Sequence, residues 1–166
     1  AEVDLGRIEE NMKAMKEHLR PGTKMYGVVK TDAYGHGAVP VARTIDRFVC
    51  GYAVATVDEG LKLRRHGIEK EILCLGPDSA GRYQECLEND ISLPMFEYRR
   101  AKELSDAAVA EGKTAKIHIA VDTGMSRIGL FQDEGSVEIV KELAALPALR
   151  IAGMFTNFDR AAEADK

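Results

Sequence analysis

Cysteine is scarce in this sequence, and its three copies, Cys50, Cys74 and Cys86, are too widely spaced for a zinc knuckle or a redox motif. They read as reduced thiols. Cys74 lies inside the apolar run Ile72-Leu73-Cys74-Leu75 and reads as a small buried side chain rather than a reactive one. Excess positive charge is lacking too. With a net charge of -4 and scattered lysines and arginines, the chain lacks the basic surface that nucleic acid or an anionic membrane rewards. No apolar run approaches membrane-spanning length, and the opening Ala-Glu-Val-Asp carries neither a basic leader nor an apolar stretch, so the cytoplasm is the expected location. No segment is low in complexity or linker-like.

What is present is the composition of a folded protein: 45% hydrophobic and 30% charged residues, far from the signature of disorder. A length of 166 residues suits one well-buried domain and is short for two, so residues 1–166 are expected to form one domain. From Asp4, an N-cap candidate, Leu5, Ile8, Met12, Met15 and Leu19 recur at helical spacing until Pro21-Gly22. Met25 to Val29 then forms a short apolar run, the pattern of a strand buried on both faces. Further strands are expected at Tyr52 to Thr56, Ile72 to Leu75, Ile91 to Pro94, Ile117 to Val121 and Ile151 to Thr156. Helical patterns lie between them, among them Val57 to His66, Tyr98 to Glu111 and Val137 to Leu146. Such alternation predicts the α/β class with parallel strands, in an open doubly wound sheet or a (β/α) barrel. Periodicity does not choose between the two. A barrel needs eight strands, so with six this one would be incomplete, and residues 157–166 would begin the helix after strand six.

In both architectures ligands sit at the carboxyl ends of the strands, which directs attention to four segments. Lys30 ends an apolar strand and enters Thr31-Asp32-Ala33-Tyr34-Gly35-His36-Gly37, a place where partial desolvation would favour the neutral amine of a Schiff-base lysine. On position alone, a solvated lysine at a strand end is the commoner case. Tyr34 is a phosphate donor or a cap on the strand ends, and His36, between two glycines, is more often structural or exposed. Arg127, in the loop Asp122 to Gly129, offers a planar cation for a phosphate, phenolate or carboxylate, or else pairs with Asp122 as a structural ion pair. Asn157 contacts a ligand or turns the chain. Leu75, before Gly76-Pro77, has a cofactor face or packs in the core.

Together these segments resemble the alanine racemase family. Val28-Val29-Lys30 running into Ala33-Tyr34-Gly35-His36-Gly37 is similar to its first signature. Asp122-Thr123-Gly124-Met125 with Arg127 and Gly129 resembles the second, Phe155-Thr156 with Phe158 the third, and Ala53 to Glu59 adds a fourth match. The resemblance covers the whole chain. It implies a fold-type III barrel of the (β/α)8 type, with about six of eight units present and the family's C-terminal β domain absent from these residues. It further implies pyridoxal 5'-phosphate held as an aldimine on Lys30, which is also one of two bases moving the α-proton of a small amino acid. Residue by residue, Tyr34 would hydrogen-bond the cofactor phosphate, Arg127 would approach the phenolic oxygen, and Leu75 and Asn157 would lie near the ring. No metal is implied.

Two positions depart from the family pattern. Asn157 stands where the family usually has a histidine, and Ala120 where several members have a lysine that holds the arginine. The opposing tyrosine base, which the family takes from the second domain of a partner subunit, is also not among these residues. The parent is therefore expected to racemise alanine, or serine or another small amino acid, for D-alanine supply to the cell wall. The 166 residues alone are expected to be inactive and to associate as a homo-oligomer or with a complementing fragment. The alternatives are a non-catalytic pyridoxal-phosphate-binding barrel and a structural fragment.

Overall fold

The computed structural model describes residues 2–77 and 81–161. The chain divides into two compact units, residues 1–79 with 89–91 and residues 80–88 with 92–166. All six expected strands are present and the helices lie between them, placing the chain in the α/β class.

The first unit opens with α1 (Leu5–Glu17), whose N-cap Asp4 accepts the Arg7 N–H at 3.2 Å. The helix stops short of Pro21 because a residue preceding proline is pushed out of the helical region, and His18 closes it through a ring contact to the Ala14 carbonyl. Strands β1 (Met25–Val28), β2 (Val49–Val54) and β3 (Glu71–Cys74) pair in parallel in that order. Between β1 and β2 lie α2 (Lys30–Tyr34) and α3 (Ala38–Ile45), and α4 (Val57–Arg65) joins β2 to β3. The expectation that β1 is buried on both faces is corrected here: Gly27 and Val29 are buried, while Tyr26 and Val28 are exposed. The reason is pairing, since β1 lies at the end of the strand order with β2 as its partner.

The core of this unit is built around Tyr52, which is fully buried. Its hydroxyl lies 2.7 Å from the Ala42 carbonyl and 2.8 Å from Asp46 Oδ1, two acceptors that share its one proton. Burial and the neighbouring carboxylate push this phenol far above its ordinary pKa. Gly27 makes room for that packing, because a Cβ there would lie 2.7 Å from Ile45 Cδ1 and 3.2 Å from the Tyr52 ring. Arg64 closes the far end of α4, its guanidinium donating to the carbonyls of Asn89, Ile68, Lys70 and Asp90 at 2.7–2.8 Å.

In the second unit, β4 (Ile91–Met95), β5 (Ala115–Ala120) and β6 (Leu149–Phe155) pair in parallel, accompanied by α5 (Tyr83–Glu88), α6 (Tyr98–Ala110) and α7 (Glu134–Ala145). Leu93, Leu104, Ile117, Ile119 and Leu143 form its buried centre. Ser105 Oγ donates to the Pro147 carbonyl at 2.6 Å, fixing the turn that leads into β6. On β6 no residue is buried, and Met154 is 71% exposed. Residues 157–161 are loop and turn, and the remainder of the helix expected there lies outside the described residues.

Candidate active site

The candidate residues occur in both units, in the segments that follow the carboxyl ends of strands. In the first unit, β1 ends at Val28, and Val29 still donates to the Ala53 carbonyl at 2.9 Å. Lys30 follows, half-buried, and among the described residues its ammonium has no hydrogen-bond or ion-pair partner. Thr31, Asp32, Ala33 and Tyr34 then all take left-handed backbone angles, with φ of 53–55°. This is one turn of left-handed helix, closed by bonds from the Ala33 N–H to Val29 and from the Gly35 N–H to Thr31. Each non-glycine residue in that conformation costs roughly 1–2 kcal/mol. A β-branched Thr31 there is an outlier that surrounding contacts must hold.

Those contacts come from side chains. Asp32 Oδ1 accepts the Ala38 N–H at 2.9 Å and Lys62 Nζ at 2.8 Å. The amide bond first, then the ammonium, hold the Asp32 carboxyl below the usual carboxylate range. The His36 ring contacts the Ala33 carbonyl at 2.9 Å, a structural use of this histidine. Glu59 accepts the Thr31 N–H on one carboxylate oxygen and the Ala55 N–H on the other, both at 2.7 Å. Tyr34, 61% exposed, ends the turn. Leu75 directly follows β3, half-buried, with its N–H on the Val54 carbonyl at 2.8 Å.

In the second unit, the strand end at Ala120 leads into a loop that Asp122 organises. Asp122 Oδ1 accepts the N–H groups of Gly124 and Ser126 at 2.9 and 3.0 Å. These bonds hold the carboxyl below its ordinary pKa. The Asp122–Arg127 ion pair that the sequence left open is not formed. Arg127 is exposed, and among the described residues its guanidinium has no partner. Thr123 and Thr156 share a hydroxyl hydrogen bond of 2.7 Å that joins this loop to the end of β6. The Asn157 amide lies against the Met125 sulfur and so turns toward the same loop. A cleft of about 20 Å³, lined by Asp122, Met125, Arg127, Thr156 and Asn157 among others, gathers these groups.

Thus Lys30 and Tyr34 follow β1 and Leu75 follows β3 in one unit, and Arg127 and Asn157 face one cleft in the other. Ala120 is buried and apolar, leaving Arg127 without a support at that position. In the sequence Glu59 is marked only by the Thr56-x-x-Glu59 spacing of a helix start and by its place in the Ala53 to Glu59 segment. In the first unit the unpartnered Lys30 amine and the Tyr34 phenol follow the end of β1, donors that fit an anionic cofactor with an aldehyde; in the second unit the Arg127 guanidinium is likewise unpartnered among the described residues.

The N-terminal domain family of alanine racemase matches residues 3–166. The alanine racemase of Clostridium novyi is 46% identical over the full chain, which spans 43% of that protein. Among solved structures, alanine racemase from Bacillus anthracis with bound L-Ala-P superposes with a TM-score of 0.85 at 38% identity, covering 98% of this chain and 42% of that one. Clostridium difficile alanine racemase in complex with cycloserine gives 0.84 at 37% identity, covering 92% and 42%. The chain therefore spans less than half the length of the relatives it matches. These likenesses select the barrel type of α/β fold over the open sheet, with about six of eight units represented. The chain belongs to the alanine racemase family.

Proposed function

We propose that the protein carrying this chain is a pyridoxal-phosphate-dependent racemase of alanine, with Lys30 as the lysine that holds the cofactor and moves the α-proton on its own face. The carrying observation is Lys30 itself: a half-buried amine without a partner among the described residues, set at a strand end by a strained turn that other side chains secure. When bound, pyridoxal phosphate supplies the electron sink that lets an α-proton depart. The chain's own residues supply the rest. By the family resemblance, the Tyr34 hydroxyl would hold the phosphate, the Arg127 charge would serve the phenolic oxygen, and Leu75 and Asn157 would lie near the ring. Stereochemical inversion needs a second base on the opposite face. The family resemblance assigns that base to a further domain of a partner subunit, so the active form is a homodimer in the cytoplasm supplying D-alanine.

Borohydride reduction of the protein incubated with pyridoxal phosphate, followed by peptide mapping, tests the assignment. Modification confined to Lys30, with alanine inversion abolished in Lys30→Ala, is expected. Modification spread over surface lysines overturns the reading, and specific attachment without inversion of any small amino acid favours a non-catalytic cofactor-binding protein.

A further inference from the structure

Glu59 is the third residue of α4, and the N-cap hydroxyl of Thr56 accepts its N–H at 3.3 Å. In a capping box the glutamate at that position returns to the amide of the cap residue. Here it does not. One oxygen reaches past the cap to the Ala55 N–H, and the other crosses to the Thr31 N–H, 28 residues away. The second bond falls on the peptide joining Lys30 to Thr31, so it fixes the peptide plane that leaves the Lys30 Cα. It also restrains the first of four consecutive left-handed residues. Ala55, held by the other oxygen, abuts the loop after β3. A Cβ on Gly76 would lie 2.3 Å from the Ala55 carbonyl, and Gly76 follows Leu75 directly. One carboxylate therefore links the ends of β1 and β2, and β2 in turn sets the loop that carries Leu75. Lys62, one turn further along α4 on the same face, adds its ion pair to Asp32 at 2.8 Å.

We propose that Glu59 is a positioning residue for Lys30: through the Thr31 and Ala55 amides it holds the left-handed turn that aims the lysine amine and the Tyr34 hydroxyl. The proposal rests on the reading of Lys30 as the cofactor lysine. Both bonds are charge-assisted, the stronger class, and without them two N–H groups beside the site lose their acceptors. Glutamine keeps one acceptor and presents an amide N–H to the other donor, so Glu59→Gln leaves half of the clamp, and Glu59→Ala removes all of it.

The test compares the wild-type protein with Glu59→Gln and Glu59→Ala by visible circular dichroism per bound cofactor, by the rate of borohydride fixation on Lys30 and by unfolding midpoint. The dichroism reports how the ring is oriented and is normalised for occupancy, so loss of stability alone does not move it. A graded fall is expected, larger in Glu59→Ala, with fixation slowed by about ten- to a hundredfold there. Variants that match the wild type in both signals overturn the proposal, whatever their midpoints. Amide exchange on the cofactor-free wild-type protein is the independent measurement, and it decides the matter if the variants do not fold. Protected Thr31 and Ala55 amides support the clamp, and a Thr31 amide exchanging at the rate of an unprotected turn overturns it. A wild-type protein that is not modified at Lys30 sinks the cofactor reading instead, and the exchange result then still judges the clamp.

Discussion

Gly129 and Asp122 lie back to back: a Cβ on Gly129 would sit 2.7 Å from the Asp122 backbone nitrogen, and Gly129 has φ of +118°. The loop carrying Arg127 can return to β5 only through a residue without a side chain. Leu130 then donates to the Ala120 carbonyl at 2.9 Å and Asp122 to the Leu130 carbonyl at 2.8 Å. Gly129→Ala meets both a backbone clash and a disfavoured φ. It is expected to cost roughly 2–4 kcal/mol, read as a lower urea midpoint. Retention of the wild-type midpoint would show that the loop has another way back.

The Asp122 and Asp32 carboxyls are both held below their ordinary pKa, chiefly by backbone N–H donors, those of Gly124 and Ser126 for Asp122 and that of Ala38 for Asp32. A depressed folded pKa contributes stability that is present above the unfolded value, near 3.9, and is lost as pH falls through the folded value. Unfolding midpoints should therefore be flat around neutrality on this account and fall from about pH 4 downward. In the Asp32→Asn and Asp122→Asn double variant, part of that acid slope should disappear. An unchanged slope below pH 4 counts against the assignment.

Arg64 ties the end of α4 to four carbonyls at 2.7–2.8 Å, a set that a planar fork reaches and an ammonium does not. Arg64→Lys keeps the charge and should still cost roughly 2–4 kcal/mol. An equilibrium unfolding curve that is superimposable on the wild type would show that water replaces the guanidinium without penalty.

The buried Tyr52 hydroxyl gives a spectroscopic prediction. Because burial and Asp46 push its pKa far upward, Tyr52 should contribute no phenolate absorbance in an alkaline titration until the protein unfolds. Tyr52→Phe should leave the Asp46 carboxylate short of a donor and lower stability by about 1–3 kcal/mol. A phenolate step of normal midpoint that vanishes in Tyr52→Phe would refute the burial argument.

The strands and most helices are legible in the sequence because their signals are local: apolar runs such as Ile72 to Cys74, and stops such as Gly67 and Gly112. Burial is less so. Val28 and Met154 sit in runs as apolar as any, yet both are exposed, because exposure depends on which strands pair alongside. The turn after Lys30 is illegible for a different reason. Threonine, alanine and tyrosine all disfavour left-handed angles, and the contacts that impose them come from Glu59 and Lys62, distant in sequence. The motif around Lys30 marks the place, while its mechanical support is visible only in three dimensions.

The 166 residues expressed alone are expected to associate. β6 pairs with β5, and among the described residues it has no strand on its other side. Beside it, a trough of about 580 Å³ is lined by Leu130, Phe131, Val137, Val140 and Met154. Phe131 is 65% exposed and Met154 71%. An unpaired strand edge next to an apolar trough is the arrangement that pairs with another chain. Light scattering over a dilution series should therefore show dimers or larger species at micromolar concentration, and Met154→Lys should shift the distribution toward monomer by placing a charge in the trough. A wild-type chain that stays monomeric, unfolds cooperatively and gains nothing from the lysine would show that this edge is already sealed.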